Sequence, residues 1–182
     1  MAKHMMWENN ETAGCEVLEI ATEKEDIRID STILVLDEKG PVKIHYQLEL
    51  DAAWKTKRIT INSGDGNELE LTSSGEGKWY GQDDKLLDAL TGAIDIDISA
   101  TPLSNSLPIN RHQWVEGQAR NFEMVYIAVP SMEMQKVKQR YTCVKASRPR
   151  IFRYQSANFE SLIEVDDDGF VLDYPGLFTR KY

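Results

Sequence analysis

Ile27–Leu50 reads IRIDSTILVLDEKGPVKIHYQLEL, and this stretch decides the fold class. Ile27, Ile29, Ile33 and Val35 share one parity, and past a break so do Val42, Ile44, Tyr46 and Leu48. Arg28, Asp30, Lys43, His45, Gln47 and Glu49 fall between them. A period of two with one polar face is the pattern of half-buried, antiparallel strands. The break itself, Asp37-Glu38-Lys39-Gly40-Pro41, is made of turn residues.

The same rhythm runs outward. Ile59 with Ile61 and Leu69 with Leu71 continue the alternation, separated by Ser63–Asn67 and followed by Ser73–Gly77. Turns at roughly ten-residue spacing belong to a meander, sandwich or barrel. Further strands are predicted at Ala93–Ser99, Phe122–Val129, Val137–Lys145, Ile151–Gln155, Ser161–Val165 and Phe170–Asp173. Asp168-Gly169 and Pro175-Gly176 supply turns near the C-terminal end. Helix signals are few. Asp84–Leu90 reads as a short helical turn, and Pro102–Trp114 as the one substantial helix, with Thr101 as its N-cap. Pro108 lacks a backbone donor, so a kink or a start near Ser106 is expected. No βαβ rhythm is read. The expectation is a mainly β chain: one long antiparallel sheet curled around a single central helix. Trp7, Trp54, Trp79 and Trp114 are assigned to its core.

Bulk properties narrow the function classes. The chain has 182 residues, 41% hydrophobic and 28% charged, which suits one ordinary domain. A formal net charge of −9 disfavours a nucleic-acid partner. Cys15 and Cys143 form no CxxC pair, which fits free thiols in a reducing compartment. No run approaches the ~20 apolar residues of a membrane helix. The N-terminal stretch lacks an apolar signal core, so a soluble cytoplasmic protein is expected. Met1–Met5 (MAKHM) reads as an expression scar, leaving residues 6–182 as the domain.

Chemistry-bearing patterns are sparse. Asp95 and Asp97 stand two apart on one strand, which places their carboxylates about 6.5–7 Å apart on one side. Such a pair suits acid/base work on a glycosidic bond, or a hydrogen-bonded strand face. Glu164–Gly169 is acidic, but Pro175 stands where a calcium loop needs its bidentate Glu. His45 and His112 lack zinc-ligand spacing, and no phosphate-binding loop or nucleophile elbow is present. No metal or other cofactor is expected. Lys136, Lys138 and Arg140 share a face in an acid-free stretch that runs to Arg153. They read as an edge strand guarded by lysines, or as a patch for an anionic headgroup.

Three segments are more specific than these: GAIDIDI (Gly92–Ile98), TPLSNSLPINR (Thr101–Arg111) and DGFVLDYPGLF (Asp168–Phe178). With Gly77-Lys78-Trp79, Gln139–Thr142 and Phe152-Arg153-Tyr154, the chain resembles the bacterial putative glycolipid-binding family over nearly its whole length. It departs from that family's pattern at Ala93, Leu103, Ser104, Ser106 and Asn110, where Cys, Phe, Thr, Thr and Arg are usual. A role that needs the cysteine or a second arginine is therefore not expected. The resemblance implies a spiral β-roll, often dimeric. It also carries over Asp95, Asp97, Thr101, Asn105, Arg111, Tyr141, Arg153, Tyr154, Asp173 and Tyr174 as ligand-binding candidates, together with Pro108. A buried Arg111 needs a carboxylate, and Asp95 or Asp97 could form with it either a scaffold clamp or the polar floor of a pocket.

The reading that follows is a noncatalytic binder of a glycolipid or other amphiphile, held in the cavity of the roll. The alternatives are a homodimeric interaction module and, ranked last, an enzyme using Asp95 and Asp97 on a sugar-like substrate.

Overall fold

The computed structural model describes residues 2–23, 25–38 and 40–182. Its strands are β1 (Lys3–Asn9), β2 (Gly14–Glu23), β3 (Asp26–Asp37), β4 (Gly40–Asp51), β5 (Thr56–Ser63), β6 (Glu68–Ser73) and β7 (Trp79–Tyr80). After a short 3-10 turn at Asp88–Leu90 come β8 (Asp95–Ile98) and the helix α1 (Leu103–Arg111). The rest is β9 (Ala119–Ala128), β10 (Glu133–Lys145), β11 (Arg150–Ser156), β12 (Phe159–Val165), β13 (Val171–Tyr174) and β14 (Phe178–Arg180).

All of these strands belong to a single sheet, ordered β7-β6-β5-β4-β3-β2-β1-β14-β13-β12-β11-β10-β9-β8. The order is a meander wound outward from its middle. β1 pairs with β14, Trp7 opposite Arg180, so the first and last strands join the two halves. The sheet does not close, and it curls around α1 as a β-roll. Its pairings are antiparallel with one exception. β8 runs parallel to β9, with Asp97 opposite Tyr126. The expected all-antiparallel sheet is corrected here: β8, α1 and β9 make one βαβ unit, because the chain crosses over through the helix before it rejoins the sheet.

The parity read from the sequence sets the core. Ile44, Tyr46, Leu48 and Leu50 on β4 point inward and are at most 1% exposed. Their partners on β3 and β5, Ile33, Ile29, Ile59 and Ile61, bury the same face. Trp7 and Trp79 are fully buried, and each indole N–H donates at 2.8 Å to a backbone carbonyl, of Val171 and Ala93 respectively. Met5, set aside in the sequence reading, is buried on β1.

The interior holds two apolar clusters, and α1 lies between them. Leu103 and Leu107, one helical turn apart, pack into the cluster of β1–β5, whereas Ile109 packs with Phe122, Tyr141 and Phe152. Every residue from Leu103 to Ile109 is buried, Ser104, Asn105 and Ser106 included. Small polar side chains let the helix approach the sheet closely while satisfying backbone groups. Ser104 Oγ accepts from the Ile98 amide at 2.9 Å. Pro108 sits inside α1 without shortening it to the later start.

The expectation of a lysine-guarded edge at Lys136–Arg140 does not hold. β10 is an inner strand, paired on both sides with β9 and β11. Lys136 pairs with Glu123 at 3.2 Å and donates to the Thr91 carbonyl at 2.7 Å. The acidic turn after β12 is tied to basic side chains: Asp166 to Arg180 at 2.5 Å, Asp167 to Arg148 at 2.6 Å and Asp168 to Lys3 at 2.8 Å. No helix among the described residues is long and apolar enough to cross a membrane.

Candidate functional site

The chain leaves β8 at Ile98, turns through Ser99–Thr101 and enters α1. The candidate site lies at this turn. It is an open cleft of about 390 Å³, lined by Asp97, Thr101, Asn105, Tyr154, Tyr174 and Phe178, with Glu11, Ser99, Tyr126, Ser156, Phe159 and Leu177 completing its rim.

One wall is aromatic. Tyr154, Phe159 and Tyr174 form a triangle with ring centroids 6.1, 6.1 and 6.2 Å apart, and Phe178 extends it 6.4 Å from Tyr174. Rings at these separations pack against one another and form a wall. They come from β11, β12, β13 and β14, four consecutive strands in the sheet, and strand pairing sets Tyr174 directly opposite Phe178.

The floor is polar and largely held in place by the fold. Thr101 Oγ1 donates to Glu16 Oε2 at 2.6 Å and accepts from the Leu103 amide at 3.0 Å. Thr101 therefore orders the entry to α1, although the N-cap position belongs to Pro102. Glu16 is buried on β2 and accepts two further hydroxyls, Tyr46 at 2.6 Å and Ser31 at 2.7 Å. Burial pushes its carboxyl above the ordinary range, and the three hydroxyls pull it part of the way back. Asn105 donates to the Pro102 carbonyl at 3.2 Å and accepts from the Tyr141 hydroxyl at 2.9 Å.

Asp97 is the charged group of this floor. Its carboxylate accepts from the Gln139 amide at 2.6 Å and from the Ser104 hydroxyl. Burial raises it to about 6, and these two neutral donors oppose that rise only in part. Asp95 has a different setting. It is fully buried and takes a hydrogen bond and ion pair from Arg111 Nη1. Burial raises Asp95 too, and the Arg111 guanidinium pulls it back. Arg111 also lies over the Phe122 ring at 5.6 Å. The pair behaves as a clamp between the end of α1 and β8.

The sequence-derived candidates thus divide by place. Asp97, Thr101, Asn105, Tyr154 and Tyr174 meet at the cleft. Tyr141 lies beneath it, holding Asn105. Asp95 and Arg111 form the clamp, away from the lining. Arg153 is exposed and pairs with Glu160 at 3.3 Å, and Asp173 accepts from the Thr179 hydroxyl at 3.2 Å. Sequence reasoning missed Glu16, Glu11, Tyr126 and Phe159. Glu16 left a readable sign, since it shares the parity of Leu18 and Ile20 and is thus an acid on an inward face. Among the described residues, no group of three or more His, Cys, Asp or Glu could hold a metal ion.

A search of curated proteins finds no match. Among solved structures, the chain is similar to a DUF1089 family protein from Pseudomonas aeruginosa, determined by crystallography at 1.80 Å resolution. The two share 32% sequence identity over 91% of each chain, with a TM-score of 0.80. The model of the family described as Putative glycolipid-binding matches residues 4–180. With nearly the whole described chain inside that match, this protein belongs to the putative glycolipid-binding family.

Proposed function

We propose that the protein binds, without chemical turnover, the polar headgroup of a glycolipid or similar amphiphile in the cleft between α1 and β11–β14. The observation that carries this reading is the pairing of the Tyr154–Phe159–Tyr174–Phe178 wall with the hydrogen-bonding floor of Asp97, Thr101 and Asn105. A sugar ring presents C–H groups on its faces and hydroxyls around its edge, and such a cleft answers both. Its size falls near the lower end of the ~300–1,000 Å³ typical of small-molecule sites. In the interior of the roll, the buried residues of α1 lie among the fully buried side chains of Trp7, Trp79, Tyr46, Tyr141 and Phe152. The headgroup is therefore the part enclosed, and an acyl chain leaves through the open side. This reading moves the expected ligand from the hollow of the roll to the open cleft.

The enzyme reading has less support. Asp95 and Asp97 do not open together on one cleft, since Asp95 is sealed against Arg111. A homodimer has one observation in its favour. Val17, Leu34 and Leu36 on the outer face of β2 and β3 are 52%, 50% and 50% exposed. Light scattering at micromolar concentration separates the two states, and Leu34→Glu shifts a dimer that uses this face toward monomer.

The binding test is native mass spectrometry and chemical-shift titration with octyl glucoside below its micellar concentration. The reading expects a one-to-one adduct and shifts confined to the cleft, both lost in the Tyr154→Ala/Tyr174→Ala variant. An unchanged apo mass, or shifts spread over the apolar outer face, overturns it.

A further inference from the structure

We infer that the headgroup bound in this cleft carries a cationic amine, as an amino sugar does, and that Asp97 is its counter-charge. The inference rests on the headgroup reading above and adds the chemical class of the ligand.

Three observations lead to it. The first is the difference between the two aspartates of β8. Asp95 is buried and matched by Arg111. Asp97 stands two residues away and is matched only by neutral donors, Gln139 and Ser104. Asp97 is only partly exposed, and a carboxylate held partly out of water costs free energy unless a cation accompanies it. Among the described residues none does. An ionised carboxylate has about four acceptor positions, so two neutral donors leave room for more.

The second observation is the sign of the lining. Glu11 and Asp97 are its charged side chains, and no Lys, Arg or His takes part. Arg111 is engaged on Asp95 and Arg153 on Glu160, and the exposed Lys138 and Arg140, which flank Gln139, lie outside the lining. Phosphate and sulfate recognition uses Arg or Lys donors, so this cleft rejects an anionic headgroup. The third observation is the wall. Aromatic faces carry negative charge density and attract a nearby cation, Tyr and Phe among them. Carboxylate and wall therefore favour the same ligand charge. An ammonium between them satisfies Asp97, and the remaining hydroxyls of the sugar meet Ser99 and Ser156 on the rim and Asn105 on the floor.

The experiment is a chemical-shift titration of the whole protein at pH 7.5 with glucosamine, glucose, N-acetylglucosamine, glucose 6-phosphate and ethanolamine. Glucosamine is expected to bind about tenfold more tightly than glucose or N-acetylglucosamine, in line with one charge-assisted hydrogen bond. Glucose 6-phosphate is expected to bind most weakly. Asp97→Asn is expected to abolish the preference for the amine. Asp173→Asn changes the net charge equally outside the cleft and is expected to keep it. Thermal melts of both variants establish that they are folded. Equal affinity for glucosamine and glucose overturns the inference and leaves the headgroup reading intact. Survival of the amine preference in Asp97→Asn overturns it as well. Asp97-dependent binding of ethanolamine without any sugar upholds the amine and overturns the sugar headgroup. Absence of binding by every probe overturns both.

Discussion

At the scale of single residues, the buried carboxyls make stability depend on pH with a defined sign. Burial lifts Asp97 to about 6, whereas an unfolded Asp titrates near ~3.9. Between about pH 4 and 6 the folded state therefore holds more protons than the unfolded state, and stability falls as pH rises through that window. Asp95, raised by burial, acts in the same direction. Asp166 acts oppositely and lower down. Burial would raise it, but Arg180, the Phe170 amide and Lys3 outweigh burial and hold it below the ordinary range. Its contribution is present above the unfolded value and is lost as pH falls beneath it. The groups facing Asp97 are Gln139, Ser104, Tyr141, Tyr154 and Tyr174, and burial pushes all three phenols upward, so they stay neutral here. Urea unfolding at pH 4 and pH 7.5 is expected to show Asp97→Asn more stable than the parent at the higher pH only. An equal difference at both values removes the titration argument. Arg111→Met strands Asp95 in the interior and is expected to cost about 3–5 kcal/mol, with part recovered in Arg111→Met/Asp95→Asn. The carboxylate pair was visible in the sequence as a spacing. Which member received the cation was not, because both lie on one strand and Arg111 reaches only one of them.

At the scale of elements, α1 is held by its apolar contacts more than by its own propensity. It has nine residues, a proline within it and polar side chains that are buried. An isolated helix of that length is marginal in water. Leu107→Ala is expected to destabilise the fold by about 2–5 kcal/mol in urea unfolding, since the side chain is fully buried between β-strands. The turn at Gly169 is a second sensitive point. Its φ is +79°, and a methyl group there meets the Asn110 amide, whose nitrogen holds the Asp168 carbonyl at 2.8 Å. Gly169→Ala is expected to lower the melting temperature, whereas Gly117→Ala pays only the cost of its positive φ, because nothing lies within 4 Å. Although Leu34 and Leu36 face outward on β3 and Met124 and Val125 are both buried on β9, strands β3–β6 and β9–β13 were legible because their alternate positions are mostly apolar. β2 was not. Cys15, Val17 and Ala21 face outward while Leu18 and Ile20 face inward, so both parities carry apolar residues and the alternation is blurred. β8–α1–β9 was read as separate pieces because the parallel crossover depends on pairing across the helix, which no local pattern announces.

At the scale of the whole molecule, β1 is the seam. It joins β2 on one side and β14 on the other, and it buries Met5 and Trp7. Replacing Trp7 by Ala removes a fully buried indole and the hydrogen bond to Val171. The expected loss is about 3–5 kcal/mol. Because the seam joins both halves, the loss is expected to appear in one cooperative transition. Circular dichroism and tryptophan fluorescence melts that coincide support this, and two separate transitions overturn it. The cleft depends on the same seam. Its wall comes from β11–β14 and its floor from β8 and α1, while Glu16 on β2 anchors Thr101 from the other half of the sheet.

The strand character of this chain was a property of its sequence, because alternation and turn residues act over a few neighbouring positions. The single helix, the apolar face of each clear strand and the family motifs were readable for the same reason. The site was decided only by the tertiary structure. Thr101 meets Glu16 across 85 positions, Asp97 meets Gln139 across 42 and Tyr141 meets Asn105 across 36. Those meetings follow from the winding order of the sheet and the pairing of β1 with β14. Such long-range pairings are selected by the energy of the complete core, and no segment of the chain contains that energy by itself.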